Sequence, residues 1–433
     1  MKVLFVYTNI EKSTQEHLGI AYLSGMLKHH DIETYLWDNT FETKEDLKKK
    51  VEDINPDFVC FSALSVDYDY AIELGKLVKS TKDVPIIIGG PHVTFVPQEA
   101  LTEDCFDVVI RGEGEETLLE YVQTKNPKTE GTWVKENGVI HTNPIRDLPD
   151  LDKLPWPDHN MFEKHFKKKV TWSETEDANY GIFITSRGCP FRCAYCSNSA
   201  YQDLYWKKKP MKYTRFRDID NVIEEVKHFV KKNDIKFLYF QDETLTVDKK
   251  RVLELCKKYK EEINLPWHAE TRADTVDKEV LQAMADAGCE LLMMGIESGS
   301  ERVRNEILKR GMKREDIINA FKWAKEVGIK TSGFNICGSP TETKEEIMQT
   351  IALNKECGAD VGKITIFTAF PGTGLWDYCN KNGYYIRKRF PTNYYVDSNI
   401  KHDILTLDEL KEMRKKFVDA MGGYSGSTKK GEI

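Results

Sequence analysis

Three cysteines near the middle of the chain have a spacing that suits an iron–sulfur cluster. Cys189, Cys193 and Cys196 form a CxxxCxxC pattern between Arg187 and Ser199. Thiolates are the usual protein ligands of a 4Fe-4S cluster, and this spacing lets three of them bind neighbouring irons of one cubane. No fourth cysteine follows nearby, so one iron stays open for a small molecule. A zinc site, which usually has four ligands in CxxC pairs, and a chance grouping of structural cysteines are the alternatives.

Length, composition and charge set limits on the kind of protein. The chain has 433 residues, of which 40% are hydrophobic and 31% are charged, and its net charge is −7. This length allows two or three domains, and the acidic balance argues against nucleic acid as a partner. No apolar run approaches the ~20 residues of a membrane span, and the N-terminus opens into a strand pattern rather than a signal peptide. We therefore predict a cytoplasmic protein with no membrane span.

Short apolar strands and amphipathic helices alternate through residues 1–125. This alternation is typical of a parallel sheet covered by helices on both faces, and it predicts an α/β fold with a doubly wound, flavodoxin-like sheet. The ligand of such a sheet binds at the carboxyl ends of its strands. The five predicted strands are Val3 to Tyr7, Glu33 to Trp37, Phe58 to Ser62, Ile86 to Gly89 and Val108 to Arg111.

Small residues follow the third, fourth and fifth of these strands. Glycines there remove side chains and allow a large flat ligand to lie against the backbone. A dinucleotide is not expected, because the glutamates beside the last glycines would repel a pyrophosphate. The candidate ligand-binding residues of this domain are Ser62, Leu64, Gly89, Gly90, Gly112 and Gly114.

A looser pattern follows in residues 126–179, where an Asn137-Gly138 turn predicts a hairpin and several prolines predict an extended connector. Strand–helix alternation resumes in residues 180–385 with six units, which predict a partial, TIM-like (β/α)6 barrel whose reactive face lies at the carboxyl ends of its strands. The cysteine loop is the first loop on that face. Residues 386–433 are predicted to form a C-terminal helical extension.

The cysteine loop resembles that of the radical S-adenosylmethionine (SAM) enzymes, in which an aromatic residue precedes the third cysteine as Tyr195 does here. In that family the open iron binds SAM, and one electron from the cluster cleaves SAM to methionine and a 5'-deoxyadenosyl radical. The resemblance implies that the polar strand ends of the barrel hold SAM: Asp242 and Glu243 the amino group, Glu297 and Ser298 the ribose, and Gly338 and Pro371 the adenine.

Arg272 follows the third barrel strand, and its forked guanidinium suits a carboxylate such as that of SAM. An ion pair with its neighbours Glu270 and Asp274 is the alternative for this arginine. For each of the other proposed SAM residues, an ion pair or a helix cap is the alternative to a role in binding.

The first domain resembles cobalamin-binding domains, in which a serine after the third strand and a Gly-Gly pair after the fourth line the slot for the nucleotide tail. The Asp-x-His-x-x-Gly motif that often supplies the lower cobalt ligand is absent, because His17 stands two residues before Gly19 and lacks the aspartate. Many cobalamin-dependent radical SAM proteins also lack this motif. The alternative is a scaffold that binds no cobalamin.

Together these resemblances imply a cobalamin-dependent radical SAM enzyme, with a 4Fe-4S cluster, SAM and cobalamin as cofactors, that works without oxygen. The commonest reaction of such enzymes is methylation of an unactivated carbon through methylcobalamin, here of a small metabolite or lipid intermediate. Radical chemistry without methyl transfer, such as cyclisation, rearrangement or carbon–carbon coupling, stays open, and a cobalamin carrier or sensor is a lesser alternative. The lysines after Trp206 suggest docking of a flavodoxin or ferredoxin, although a solvated surface explains them too.

Overall fold

The computed structural model describes residues 1–166, 179–385 and 390–421. The chain divides into two compact units. The first unit contains Met1–Asp177, Ala200–Lys212 and Phe370–Gly372, and the second unit contains Ala178–Ser199, Tyr213–Ala369 and Thr373–Ile433. The boundaries given above at residues 125, 179 and 385 stay predictions, and residues 167–178, 386–389 and 422–433 of the connector and the extension lie outside the described residues.

The first unit is built on a seven-stranded sheet in the order β2-β1-β3-β4-β5-β6-β7. Strands β1 to β5 are parallel and have the 2-1-3-4-5 order of flavodoxin-like folds, as predicted. The hairpin predicted in the connector does form, and it extends this sheet because β6 pairs antiparallel with β5. The strands are β1 (Lys2–Tyr7), β2 (Glu33–Asp38), β3 (Phe58–Ser62), β4 (Ile86–Gly89), β5 (Val108–Ile110), β6 (Thr132–Glu136) and β7 (Val139–Thr142).

Helices cover both faces of this sheet, and apolar side chains such as Leu4, Val59, Ile88 and Phe106 are buried between the layers. Strands β1 and β3 to β5 consist almost entirely of buried residues, as expected of a parallel sheet covered on both faces. The helices of the N-terminal part are α1 (Leu18–His29), α2 (Lys44–Ile54), α3 (Tyr68–Thr81), α4 (Pro91–Phe95), α5 (Pro97–Thr102), α6 (Glu115–Thr124) and α7 (Glu163–Phe166).

The described part of the proline-rich connector packs against the first unit through two buried histidine–carboxylate pairs. His159 lies 2.9 Å from Glu16, and His165 lies 2.6 Å from Asp38 at the end of β2. Because a buried carboxylate is costly without a partner, these pairs fix the path of the connector across the strand ends. Two 3-10 turns, Leu151–Lys153 and His159–Phe162, shape the same path.

The second unit is built on six parallel strands in the order β15-β14-β13-β12-β11-β8. Each strand pairs with the next barrel strand along the chain, which is the order of a partial (β/α)6 barrel, as predicted. The first barrel strand ends at Phe183, and Ser186–Arg187 forms a separate two-residue ribbon with Arg215–Phe216. The strands are β8 (Tyr180–Phe183), β9 (Ser186–Arg187), β10 (Arg215–Phe216), β11 (Phe237–Phe240), β12 (Trp267–Thr271), β13 (Cys289–Glu297), β14 (Lys330–Cys337) and β15 (Val361–Ile366).

Amphipathic helices separate these strands and pack on one face of the sheet. Capping boxes at Thr343 and Thr406 start two of them, where each threonine accepts from the backbone N–H three residues later and the acidic residue there accepts in return. Helix α8 (Ser197–Lys208) begins in the second unit, but its residues from Ala200 onward belong to the first unit. The helices of the second unit are α9 (Ile219–Asn233), α10 (Lys249–Glu262), α11 (Lys278–Asp286), α12 (Arg314–Glu326), α13 (Lys344–Cys357), α14 (Gly374–Lys381) and α15 (Leu407–Ala420), and Arg302–Ile307 forms a π-helical turn.

Candidate active site

The three cysteines lie in one loop that the second unit holds in place through its backbone. The N–H of Ala194 donates to the carbonyl of Leu308 at 2.9 Å, and the carbonyl of Ala194 accepts from Leu375 at 2.8 Å. Gly188 enters the loop with a φ of +84°, and a Cβ there would lie 2.8 Å from Tyr213. A side chain at this position would therefore clash as well as strain the backbone. These contacts fix the direction in which the loop presents its thiols.

The thiols are close enough to influence one another, as a shared cluster requires. Burial raises the pKa of Cys196 to about 11, and the neighbouring thiols Cys193 and Cys189 contribute to that increase. None of the ten cysteines, which all lie in the described ranges, forms a disulfide, and Cys189 and Cys193 are buried. Among the described residues, no three His, Cys, Asp or Glu side chains are placed to hold a single metal ion. A cubane does not need such a group, because each thiolate binds a different iron.

Two arginines reach Cys193. Nη1 of Arg272 lies 3.5 Å and Nη1 of Arg310 lies 3.9 Å from its Sγ. Arg272 also binds Asp274 through two hydrogen bonds of 2.9 and 2.8 Å and stacks 3.7 Å above the ring of Phe191. The ion pair with Asp274 is the alternative that the sequence left open for Arg272. Since donors to a cluster sulfur stabilise negative charge on it, both arginines are placed to tune a bound cluster.

Arg310 is a site residue that the sequence reasoning missed. Its Nη1 donates to the Tyr195 hydroxyl at 2.9 Å and lies 3.3 Å from a carboxylate oxygen of Glu297, and its Nη2 donates to the carbonyl of Gly295 at 2.7 Å. The structure thus joins Tyr195, Glu297 and Cys193 through one guanidinium. A weak signal was present in the sequence, because Arg310 follows Glu297 and Ser298 closely in the chain. No pattern distinguished it from the many arginines and lysines that lie at a protein surface.

Asp242 and Glu243 follow β11 and have different environments. Asp242 is fully buried, and both of its carboxylate oxygens accept from the backbone N–H of Thr185, at 3.1 and 3.0 Å. The hydroxyls of Thr185 and Ser186 donate to it as well. Burial raises the pKa of Asp242, and these hydrogen bonds oppose the increase. Asp242 therefore ties the end of β11 to the strand that leads into the cysteine loop.

Glu243 is exposed to solvent, although protein surrounds it closely enough to raise the pKa of its carboxyl to about 7. The preceding carboxylate of Asp242 adds to the increase, and a hydrogen bond from the backbone of Gly188 opposes it. A carboxylate that is solvent-accessible within such surroundings, beside the cysteine loop, is free to accept a ligand's ammonium group. Of the two acidic residues, Glu243 has the geometry of a binding residue.

Glu297 and Ser298 end β13 with an irregular backbone. Glu297 has a φ of +62°, and the pairing register with β14 shifts between Gly295 and Glu297. This bulge directs the Glu297 carboxylate towards Arg310. Ser298 is fully buried, and its hydroxyl accepts from the backbone N–H of Ser300 at 3.2 Å and lies 3.4 Å from Thr350 on α13. Its side chain therefore braces the loop instead of facing the cysteines.

Gly338 and Pro371, the predicted adenine positions, fall in different units. Gly338 directly follows β14 with a φ of +78°, and a Cβ there would lie 2.7 Å from Leu410. Pro371 belongs to the segment Phe370–Gly372, which is grouped with the first unit, where Gly372 packs against Phe95. The structure therefore brings Cys189, Cys193, Cys196, Tyr195, Glu243, Arg272 and Glu297 together in the second unit but groups Pro371 elsewhere.

In the first unit, the two glycines at the end of β4 differ in how much room there is for a side chain. Gly90 has a φ of +105°, and a Cβ there would lie 2.6 Å from the carbonyl oxygen of Ala63. This glycine is thus required for the close approach of two strand ends. A Cβ at Gly89 would meet only ordinary contacts, at 3.6 Å and beyond. Ser62 is half-buried and Leu64 is exposed, so the end of β3 is accessible.

The glycines after β5 pack against other parts of the first unit. A Cβ at Gly112 would lie 2.3 Å from the hydroxyl of Tyr205, which accepts from the backbone of Glu113. A Cβ at Gly114 would lie 3.3 Å from Leu23. Close packing of the chain, and not room for a ligand, explains Gly112. The accessible positions for cobalamin contacts are therefore at the ends of β3 and β4.

His17 caps helix α1. Its Nδ1 accepts from the backbone N–H of Ile20 at 3.1 Å, and burial lowers the pKa of its ring to about 4. This is the role of an N-cap residue, which satisfies a free N–H of the first helical turn. The position of His17 thus agrees with the missing lower-ligand motif.

The lysines after Trp206 are largely paired. Lys208 lies 3.0 Å and Lys209 lies 2.9 Å from Asp147, and Lys208 also donates to the carbonyl of Ile145 at 2.6 Å. These contacts attach the end of α8 to the connector within the first unit and reduce the positive field of this stretch. Among the described residues, no helix is both long and apolar enough to cross a membrane.

Comparison with known families and proteins agrees with this division of the chain. The B12 binding domain family matches residues 11–122, and the radical SAM superfamily matches residues 183–353. An uncharacterized methyltransferase of Pyrococcus horikoshii is 32% identical over 436 residues, which cover 96% of this chain and 91% of the relative. The cytidylyl-2-hydroxyethylphosphonate methyltransferase of Streptomyces wedmorensis is 25% identical, over 85% of this chain and 78% of that protein.

Solved structures share the whole architecture. The radical SAM methyltransferase TsrM from Kitasatospora setae superposes with a TM-score of 0.71 at 16% identity, over 90% of this chain and 77% of TsrM. The cobalamin-dependent radical SAM enzyme OxsB superposes with a TM-score of 0.74 at 16% identity, over 96% of this chain and 66% of OxsB. The cofactors are accordingly a 4Fe-4S cluster, SAM and cobalamin. The chain belongs to the radical SAM superfamily, as an enzyme that joins a B12 binding domain to the radical SAM domain.

Proposed function

We propose that this enzyme methylates a carbon atom of a small molecule. The observation that carries the proposal is the combination, in one chain, of a three-cysteine loop with a B12 binding domain, in the arrangement that relatives named as methyltransferases share. When bound, the cluster and SAM supply a carbon-centred radical and cobalamin supplies a methyl carrier. The protein's own residues must then bind, orient and shield these groups.

We assign the binding of the cluster and SAM to the second unit. Cys189, Cys193 and Cys196 would each bind one iron, and Glu243 would accept from the SAM ammonium group. Arg310 would hold Tyr195 and Glu297 in fixed orientations beside the loop, and Glu297 would meet the ribose. Arg272 and Asp242 would act as positioning residues, since hydrogen bonds within the protein already occupy both side chains.

We assign cobalamin to the ends of β3 and β4 in the first unit, with contacts from Ser62, Leu64 and Gly89. Gly90 shapes this surface through its contact with Ala63. No histidine is assigned as a lower ligand, because His17 is occupied as a helix cap. The enzyme would thus bind cobalamin without a protein nitrogen below the cobalt.

The test uses SAM with a trideuterated methyl group and protein reconstituted without oxygen. The reduced holoenzyme is incubated with a small-molecule extract of its host and the products are read by mass spectrometry. Methyl transfer predicts a new compound in which one trideuteromethyl group replaces a hydrogen, together with 5'-deoxyadenosine. Formation of 5'-deoxyadenosine with an unlabelled product would contradict methyl transfer.

Radical chemistry without methyl transfer is the second candidate, and the relatives supply a specific reason for it. An anaerobic magnesium-protoporphyrin IX monomethyl ester cyclase of Rubrivivax gelatinosus is 25% identical over 87% of this chain and 69% of that protein. The unlabelled outcome of the same experiment would support this candidate.

We further propose that the enzyme works in the cytoplasm without oxygen and receives electrons from a flavodoxin or ferredoxin. Lys207 is the exposed lysine beside Trp206 that would face such a donor, because Lys208 and Lys209 are paired with Asp147. Changing Lys207 to glutamate should slow reduction of the cluster by flavodoxin but not by dithionite. Equal slowing of both would contradict docking at this stretch.

A further inference from the structure

The loop after β3 presents one exposed leucine between buried neighbours. Leu64 is 46% exposed, whereas Ala63 before it and the four residues after it, from Ser65 to Tyr68, are buried. A single exposed leucine is common on protein surfaces, but this one directly follows a strand end to which cobalamin is assigned. Whether Leu64 can serve as a fixed contact depends on how firmly the loop is held.

The backbone just before Leu64 is attached to the loop after β4. The N–H of Ala63 donates to the carbonyl of Gly89 at 2.9 Å, and the carbonyl of Ala63 accepts from the N–H of His92 at 3.4 Å. Gly90 lies so close that a Cβ on it would be 2.6 Å from the same carbonyl oxygen. The backbone at Ala63 is therefore fixed on the side of β4.

The side chain just after Leu64 is attached to the same loop. The Oγ of Ser65 lies 3.0 Å from Nδ1 of His92, and both side chains are buried. The His92 ring packs on the ring of Tyr68 at the start of α3, with 4.1 Å between the ring centres. Burial lowers the pKa of His92 to about 4, so its ring is neutral near pH 7 and the hydrogen bond joins two uncharged groups.

A turn fixes the loop on its other side. The N–H of Asp67 donates to the carbonyl of Leu64 at 3.1 Å, and the Asp67 carboxylate accepts from the backbone of Ile10, which follows β1. Strand β3 lies between β1 and β4 in the sheet. The loop is thus attached to the elements on both sides of its strand, and Leu64 is the residue that these contacts leave exposed.

We infer that the hydrogen bond between Ser65 and His92 is a positioning contact that holds Leu64 against bound cobalamin. An apolar side chain gains binding free energy when a ligand removes it from water. A loop that is already ordered avoids the cost of ordering it on binding. Ser65 and His92 would therefore act through Leu64 without touching the cofactor. The inference rests on the proposed function, because it concerns the cobalamin surface assigned there.

The test is a double-mutant cycle that measures the dissociation constant of hydroxocobalamin. Equilibrium dialysis in the dark is carried out with full-length protein whose cluster has been reconstituted without oxygen. Leu64→Ala should weaken binding at least about tenfold, because the apolar contact is lost. Ser65→Ala should weaken binding about 3- to 10-fold, as expected for one hydrogen bond.

The double variant separates a positioning contact from a merely structural one. If Ser65 acts through Leu64, then Ser65→Ala should change the dissociation constant by less than about twofold in the Leu64→Ala background. A structural role would give Ser65→Ala the same loss in both backgrounds, and that result would overturn the inference. Urea unfolding of each variant confirms that the folded protein is compared.

Variants of His92 test which atom matters. His92→Asn can place its amide nitrogen near the position of Nδ1 and should keep most of the parent's affinity, whereas His92→Gln should lose as much as Ser65→Ala. Equal losses in the two would assign the effect to ring packing on Tyr68 and overturn the hydrogen bond. Val139→Ala and His141→Gln on the edge strand β7 are the matched controls and should bind hydroxocobalamin as the parent does.

The outcomes keep this inference apart from the proposed function. Leu64→Ala that binds hydroxocobalamin as tightly as the parent would overturn the positioning contact and leave methyl transfer standing. The expected losses in affinity, together with an unlabelled product in the trideuteromethyl experiment, would support the contact and contradict methyl transfer. A parent protein that binds no hydroxocobalamin would overturn both.

Discussion

The two large sheets of this protein both contain a run of buried parallel strands, but their strand ends differ. In the first unit, the chain itself packs against the ends of β2, β4 and β5, where His165 pairs with Asp38, Ala63 lies against Gly90 and Tyr205 covers Gly112. The end of β3 stays accessible at Leu64. In the second unit, charged side chains surround the cysteine loop: the Glu243 carboxylate after β11 is exposed, and the Arg310 guanidinium is buried beside Cys193. The comparison teaches that strand–helix alternation determines where a ligand can bind, whereas the strand-end residues determine which chemistry occurs there.

The difference also indicates a separate role for each unit. Accessible charge near three thiols can bind a charged cofactor and stabilise an added electron. Strand ends that the chain packs closely can instead present a shaped surface to a large ligand. Changes in the second unit should therefore alter the binding of the cluster and SAM, whereas changes at the closely packed strand ends of the first unit should alter local stability.

Removal of one cysteine should have the largest effect. Cys193→Ala removes a ligand that the other two thiols cannot replace, so the reconstituted protein should lose nearly all of its iron and the visible absorption of the cluster. Cys256→Ala removes a buried thiol from α10 and is the matched control. Iron content of the variant equal to that of the control would show that Cys193 is not a ligand.

A side chain at Gly90 should destabilise the first unit alone. Gly90→Ala places a Cβ 2.6 Å from the Ala63 oxygen at a φ of +105°, and we expect a loss of ~3 kcal/mol because strain and overlap add. Hydrogen exchange should become faster in β3 and β4 and stay unchanged in β11 to β15.

Gly138→Ala is the matched control for this variant. Gly138 also has a positive φ, of +78°, but a Cβ there would meet nothing within 4 Å. It should cost only ~1 kcal/mol from backbone strain. Equal losses for the two variants would refute the close packing of Gly90 against Ala63.

Neutralising Glu243 should weaken SAM binding without loss of the cluster. A hydrogen bond to a charged group contributes ~1.5–3 kcal/mol, so Glu243→Gln should raise the dissociation constant of SAM about 10- to 100-fold. The measurement is equilibrium binding of SAM to reconstituted protein with its iron content checked. Glu261→Gln on the exposed side of α10 is the control, and an unchanged SAM affinity in Glu243→Gln would remove Glu243 from the SAM site.

The smallest expected effect is the pH dependence contributed by Asp38. Burial alone would raise the pKa of Asp38, but hydrogen bonds from His165 and Thr40 lower it below its ordinary value. A lowered folded-state pKa contributes stability above the unfolded value of ~3.9, and this contribution is lost as the pH falls through the folded value. Urea unfolding between pH 6 and pH 3 should therefore lose less stability in Asp38→Asn than in the parent.

The exposed Asp53→Asn is the control for the pH series and should keep the parent's slope. An Asp38→Asn variant with that same slope would mean that the pair with His165 does not lower the pKa.

The sequence predicted the architecture well because burial imposes clear patterns on it. Runs such as Val3 to Val6 and Ile86 to Ile88 are buried on both faces, and a strand of that kind can only belong to a covered sheet. The cysteine spacing and the residue after each barrel strand were also visible, because the topology of the fold places them on one edge.

Other features depended on contacts between residues far apart in the chain. Arg310 contacts both Tyr195 and Glu297, which are more than 100 residues apart in the chain. The hairpin of β6 and β7 pairs with β5, and nothing in the hairpin's own sequence indicates this pairing. The hydrogen bond from the backbone N–H of Thr185 to the Asp242 carboxylate is a further example. Short-range patterns carry no information on such pairings, so the finer division of roles had to come from the structure.

The most direct test of whether this chain binds both a 4Fe-4S cluster and cobalamin is the metal content of protein reconstituted without oxygen in the presence of cobalamin, after excess cofactor is removed. The account predicts about one cobalt per four irons, with the absorption of cobalamin that has no nitrogen ligand below the cobalt. Iron without cobalt would contradict it and would leave the first unit as a scaffold beside a radical SAM site.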